Sequence, residues 1–210
     1  TEVVRALFGL DPYESGEIVI NNKVTTIKNA RDSINKKMVM LSEDRRRFGV
    51  VPIRSVKENI SLANLKKFIY GGRLHDDEEA QVANEYCEKL NIKTPTIDTN
   101  IESLSGGNQQ KVILAKWMDT DPDIFILDEP TRGIDVGSKY EIYKLMGDIV
   151  KEKKGLIMIS SELSELIGMC DRIYVMAKGH IMGELKREEF TQENIMAYAT
   201  GTKKQEEVRK

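Results

Sequence analysis

Only two cysteines, Cys87 and Cys170, occur in 210 residues. They stand far apart and outside any metal-ligand spacing, so neither a disulfide framework nor a cysteine-built metal site is expected, and both read as reduced thiols. No stretch approaches the roughly 18 apolar residues of a membrane span, and the opening residues do not read as a signal peptide. A membrane role would therefore come through a partner. Charge of one sign is missing too: 32 Lys and Arg against 34 Asp and Glu leave a net charge of -2, which gives no electrostatic reason to expect nucleic acid. The two histidines, His75 beside Asp76-Asp77 and His180 after Lys178-Gly179, read as solvated side chains in a loop and a turn. No internal repeat and no heptad run occurs. The length suits one domain with an inserted subdomain and a real core, and a second full domain would not fit.

Two stretches carry the chemistry. Residues 104–111 read Leu-Ser-Gly-Gly-Asn-Gln-Gln-Lys, and the apolar run Ile124-Phe125-Ile126-Leu127 closes on Asp128-Glu129-Pro130. Ser105, Gly106 and Gly107 at the start of a helix offer a hydroxyl and uncapped backbone N–H groups to an anion, and glycine lets the backbone come close. That is phosphate chemistry. Four apolar residues ending in two acids describe a buried parallel strand delivering carboxylates to a sheet edge. One acid can hold Mg²⁺ and the other can orient a water.

Around them the chain alternates helix and strand signals. Apolar positions 3, 4, 7, 8 and 10 predict an opening helix, residues 15–27 a hairpin turning at Asn21-Asn22, 28–37 a helix and 38–41 a buried strand. From Ser55 to Met118 the pattern is helical, with Ala80, Ala83, Tyr86, Cys87 and Leu90 on one face and loops at Gly71-Gly72 and Thr94-Pro95. Ser138 is expected to cap a helix bearing Ile142, Leu145, Met146, Ile149 and Val150, and residues 156–159 to form the next buried strand. Residues 172–186 read as a hairpin about Lys178-Gly179, followed by a helix near 191–198 and a charged, frayed tail. Val112, Ile113 and Trp117 read as core, Gln109 and Gln110 as polar contacts, and the Arg45-Arg46-Arg47 triplet as either solvated surface or a contact with a partner.

The two central motifs, with Thr131-Arg132-Gly133-Ile134-Asp135 after the acids, resemble the signature, Walker B strand and D-loop of ABC-transporter ATPases. The wording is similar to the second half of the tandem ATPase of bacterial monosaccharide importers of the ribose, galactose and xylose type, and the match runs along essentially the whole chain. The resemblance implies an α/β, P-loop-type ABC ATPase domain with a parallel core sheet, an antiparallel β edge and a helical subdomain. Residues 1–54 and 119–200 would form the core, 55–118 the helical signature subdomain and 201–210 a tail. Thr1 falls where the phosphate loop's last Ser or Thr reaches Mg²⁺, so the chain is expected to be a fragment truncated before or within that loop.

It implies ATP and Mg²⁺ as ligands, Asp128 as a Mg²⁺ residue through water, Glu129 as catalytic base or water-orienting residue, Gln109 and Gln110 as polar contacts near nucleotide, and the Arg45-Arg46-Arg47 triplet as a contact with the membrane partner. Ser105, Gly106 and Gly107 would meet the γ-phosphate of ATP held by another ABC ATPase domain, and Asp135 would bridge the two sites. Two positions depart from the family pattern. Glu43 stands where a glutamine touches Mg²⁺ and the attacking water, and an ionised acid cannot donate a hydrogen bond there. Ser161 stands where a histidine usually contacts the γ-phosphate. The implied partners are a second ATPase domain, transmembrane permease subunits and, indirectly, a sugar-binding protein, at the cytoplasmic face of the cell membrane. Two other readings stay open: a soluble ABC ATPase outside transport, and a regulatory half that hydrolyses ATP poorly.

Overall fold

A computed structural model describes residues 1–203. The chain opens with helix α1 (Glu2–Leu7), shorter than the apolar spacing suggests because Gly9 takes a φ of +78°. A Cβ at Gly9 would come within 2.8 Å of the Asn29 backbone, so the chain can cross there only as glycine. The hairpin β1 (Ile18–Ile20) and β2 (Lys23–Thr25) turns on Asn21 and Asn22, both at positive φ, as their residue types anticipate. Helix α2 (Ala30–Asn35) is capped by the Asn29 side chain and leads to strand β3 (Met38–Leu41). A π-helical turn follows over Arg45–Gly49, with the Asp44 carboxylate accepting from the Arg47 N–H at 3.1 Å.

Helix α3 (Val56–Ser61) starts in a capping box between Ser55 and Glu58. The stretch expected to be helical throughout is then interrupted by a two-residue hairpin, β4 (Ile69–Tyr70) and β5 (Arg73–Leu74). Gly71 and Gly72 at positive φ make a turn tight enough to pair the flanking residues, which helical periodicity does not register. Helix α4 (Asp76–Lys89) follows, with His75 at its N-cap and its ring stacked on Tyr70 rather than standing free in a loop. Helix α5 (Gly106–Met118) follows, with Ser105 as its N-cap.

Strand β6 (Ile124–Asp128), helix α6 (Val136–Lys151) and strand β7 (Gly155–Ile159) complete a three-stranded parallel sheet in the order β3-β6-β7. Met40 faces Ile126, and Asp128 faces Ile159. Alternation along the strands divides the two faces. Met38, Met40 and Ile126 join Val4, Phe8 and Ile27 in one core cluster, with Ile18, Ile20 and Ile34 packed against it. Val39, Leu41, Phe125 and Leu127 are buried at the alternate positions, so the strands are apolar on both faces as parallel strands are. The expected helix start at Ser138 is corrected by one turn: Asp135 is the N-cap, and its carboxylate accepts from the Ser138 N–H at 3.0 Å.

The chain divides into two compact units, with the boundary between Ile159 and Ser160. The second holds α7 (Leu163–Met169), the hairpin β8 (Arg172–Ala177) and β9 (His180–Lys186), and α8 (Gln192–Ala199) around Ile173, Val175, Leu185, Ile195 and Tyr198. Its turn lies at Lys178-Gly179 as expected. The expected fraying of the tail falls, from residue 204 on, outside the described residues. Among the described residues no helix is long and apolar enough to cross a membrane.

Candidate functional site

Strands β3 and β6 run parallel, so their C-terminal ends bring Glu43 and Asp128-Glu129 to one edge of the sheet. The Thr1 hydroxyl donates to Asp128 Oδ1 at 3.2 Å across 127 positions of sequence. Thr1 makes no side-chain cap to its own helix, so its hydroxyl is spent on the acid. Six residues are too few for a helix to stand alone; burial of Val4 and Phe8 against the sheet holds α1 and thereby Thr1. Asp128 is fully buried, and its Oδ2 has no hydrogen-bond partner. A buried carboxylate oxygen costs free energy unless something satisfies it, and a hard cation held by oxygen donors fits this pair.

Glu129 sits one residue beyond the strand in the left-handed region, at φ +49°. That conformation costs a non-glycine residue about 1–2 kcal/mol, and two backbone bonds hold it: Glu129 N–H donates to Ile159 O at 2.9 Å, and Arg132 N–H donates to Glu129 O at 3.1 Å. The turn redirects the chain away from the alternating pattern of β6. Gly133 follows at φ +66°, and Thr131 is buried. Asp135 ends the loop as the cap of α6; the Ser138 backbone N–H, first among its causes, holds its carboxyl below the usual range.

At the start of α5, Ser105 accepts from the Asn108 N–H at 3.4 Å and from its side-chain amide at 3.0 Å, while Asn108 Oδ1 accepts from Lys93 N–H at 2.9 Å. The N-terminus is thus fixed to the preceding loop. Both glycines meet close neighbours: a Cβ at Gly107 would lie 2.5 Å from Ser138, and one at Gly106 would lie 2.6 Å from Arg45 Nη2. The buried Gln109 amide donates inward to Ile101 O at 3.2 Å and Leu104 O at 3.1 Å, tying down the turn that leads into the helix. Gln110 is likewise buried.

The Glu43 carboxylate forms an ion pair with the Arg132 guanidinium. Arg45 reaches the same loop, donating to Arg132 O at 2.9 Å and Gly133 O at 3.4 Å. Desolvation and then Arg46 pull the Arg45 guanidinium below its ordinary value. Ser161 is exposed and belongs to the second unit.

Three residues that hold this region escape sequence reasoning. Lys116 is buried on α5 and donates to Gly49 O at 2.5 Å, with burial pushing its ammonium down to about 8. Asn59 saturates the loop before α3, accepting from Val51 N–H at 2.7 Å and donating to Val51 O, Arg54 O and Ser55 O. Lys111, only 2 % exposed, bonds Asn91 O and pairs with Glu141, both at 2.7 Å. The available signal was a lysine or asparagine on a helix face that is otherwise apolar.

A family model described as "ABC transporter" matches residues 1–132. A putative ribose/galactose/methyl galactoside import ATP-binding protein of Rhizobium etli is 51% identical over 201 residues, covering 96% of this chain and 38% of that protein. A ribose import ATP-binding protein of Bacillus subtilis is 46% identical, covering 96% of this chain and 41% of its own length. The chain therefore spans about two fifths of these relatives. An ATP-binding cassette of an ABC transporter superimposes with a TM-score of 0.78 at 20% identity, covering 95% of this chain and 81% of that one. A dimeric cassette in a post-hydrolysis state, bound to ADP and Pi, gives 0.73 at 21%, covering 89% and 79%. At these identities the structures establish the likeness of fold.

Proposed function

The chain belongs to the ABC transporter family, and from that premise we propose that it is an ATP-binding and hydrolysing half of a tandem ATPase that energises import of a monosaccharide. The observation that carries this reading is the meeting of Thr1 and Asp128, with Asp128 Oδ2 buried and unpartnered beside it. Thr1 and Asp128 would hold Mg²⁺, which when bound neutralises charge on the transferring phosphoryl group. Phosphoryl transfer needs positioning and charge stabilisation more than covalent help. Glu129, turned out of the strand, orients a water and accepts its proton. Ser105 and the backbone N–H groups of Gly106 and Gly107 receive the γ-phosphate of ATP bound to a companion ATPase domain, and Asp135 bridges the two sites.

ATP would then join the two domains and hydrolysis release them, which drives permease subunits between inward- and outward-facing states. The chain would work peripherally, at the cytoplasmic face, supplied by a sugar-binding protein; residues 55–118 would be the helical subdomain that carries the signature. One observation favours a second reading, a half that binds nucleotide but hydrolyses it poorly: Glu43 is engaged by Arg132.

The test measures ATPase rate for this chain alone, joined to an upstream phosphate-loop segment, and mixed with a companion half. Turnover that needs the companion and disappears in Ser105→Arg supports the proposal. Full turnover by the joined chain without any companion, unaffected by Ser105→Arg, would overturn it.

A further inference from the structure

The turn after β3 is fastened at both ends. At its start Arg45 donates to two successive carbonyls, Arg132 O and Gly133 O, and lies against Gly106 so closely that a Cβ there would meet its Nη2. Glu43, two residues earlier, holds the Arg132 side chain. At its end Gly49 accepts from buried Lys116 and is pressed on Ile113, where a Cβ would come within 2.6 Å of Cδ1. Between these anchors Arg46, Arg47 and Phe48 stand exposed, Phe48 by 56%.

We propose that Glu43 and Arg45 are positioning residues that clamp the Arg132-Gly133 segment against the first turn of α5 and so hold the 131–135 loop for turnover. The part that links this loop to hydrolysis rests on the function proposed above; the clamp itself does not. Arg45 suits the task because its planar fork meets two carbonyls at once, and a lysine ammonium in its place would keep the charge and lose the fork. The Glu43–Arg132 pair is solvent-accessible, with side chains 37% and 64% exposed, so its contribution to stability is small and its effect lies in where it holds the loop. A π-turn is a rare local choice, often found at functional sites. Here it gives Arg45 and Gly49 their separate anchors.

Two measurements test this. Amide hydrogen exchange on the chain reads the clamp directly: Arg45→Lys should speed exchange at Arg132 and Ile134, whose N–H groups bond Glu129 O and Thr131 O, while exchange in the middle of α5 stays unchanged. Equal exchange at Arg132 and Ile134 in both proteins would overturn the clamp whatever the fate of the ATPase reading. In the importer reconstituted with its permease, Arg45→Lys should lower kcat about tenfold with KM for ATP within about twofold. Glu43→Arg and Arg132→Glu should each lower kcat about fivefold, and the double exchange should restore it to within about twofold. If the exchange fails to restore turnover and Glu43→Gln abolishes Mg²⁺-dependent nucleotide binding, Glu43 is a metal residue and the clamp is wrong. Ser105→Arg run alongside keeps the two proposals apart, since it tests the companion-site reading and leaves the Glu43–Arg132 pair intact.

Discussion

Lys116 shows how one buried side chain makes stability depend on pH. Its ammonium is held near 8 by desolvation instead of the ordinary 10.5. Above about pH 8 the native state gives up that proton while the unfolded state keeps it up to about 10.5. The unfolded chain therefore binds more protons across this window, and this residue's contribution to stability rises with pH there. Urea unfolding at pH 7.5 and 9.5 should show the wild type gaining about 2 kcal/mol relative to Lys116→Met. A constant difference between the two proteins would mean that Lys116 titrates normally. Gly107 acts at the same scale through shape alone. Gly107→Ala drives a methyl into Ser138, so it should cost about 1–3 kcal/mol in thermal or urea unfolding with no nucleotide present. The residue types at both positions were legible in the chain; their neighbours, 67 and 31 positions away, were not.

At the scale of elements, α1 owes its place to packing and not to propensity. Phe8→Ala should cost about 3–5 kcal/mol, and it should also loosen Thr1 from Asp128. The expected result is weakened Mg²⁺-dependent nucleotide binding at temperatures where the rest of the chain remains folded, read by titration calorimetry on the chain joined to an added phosphate-loop segment. Unchanged binding would show that Thr1 is held by something other than the Val4 and Phe8 contacts. Elements with a strong period were readable in advance: β3, β6 and β7 as apolar runs, α4 and α6 as amphipathic helices. The β4-β5 hairpin was not, because two-residue strands leave no periodicity to detect. The true cap of α6 was missed because Ser138 and Asp135 are both good capping residues, and the choice depends on where the preceding loop enters.

Across the whole molecule, the two compact units have separate apolar clusters, one around Phe8, Met40 and Ile126 and one around Leu185 and Tyr198. Leu185→Ala should cost about 2–5 kcal/mol and raise amide exchange along β8 and β9, with β6 as the internal control. If β8 and β9 keep their protection, Leu185 is not the centre of that cluster. The sequence by itself determined the family, the parallel strands, the helix that carries Ser105 and the acids that end β6, because these depend on residue types at short, regular spacings. Tertiary structure decided where the side chains go. It brought Thr1 to Asp128, turned Gln109 inward, gave Asp135 to the helix it caps and placed Glu43 on Arg132. Each outcome but the cap of α6 turns on which backbone carbonyl, acid or cation from another element lies within about 3 Å, and a one-dimensional spacing does not hold that distance.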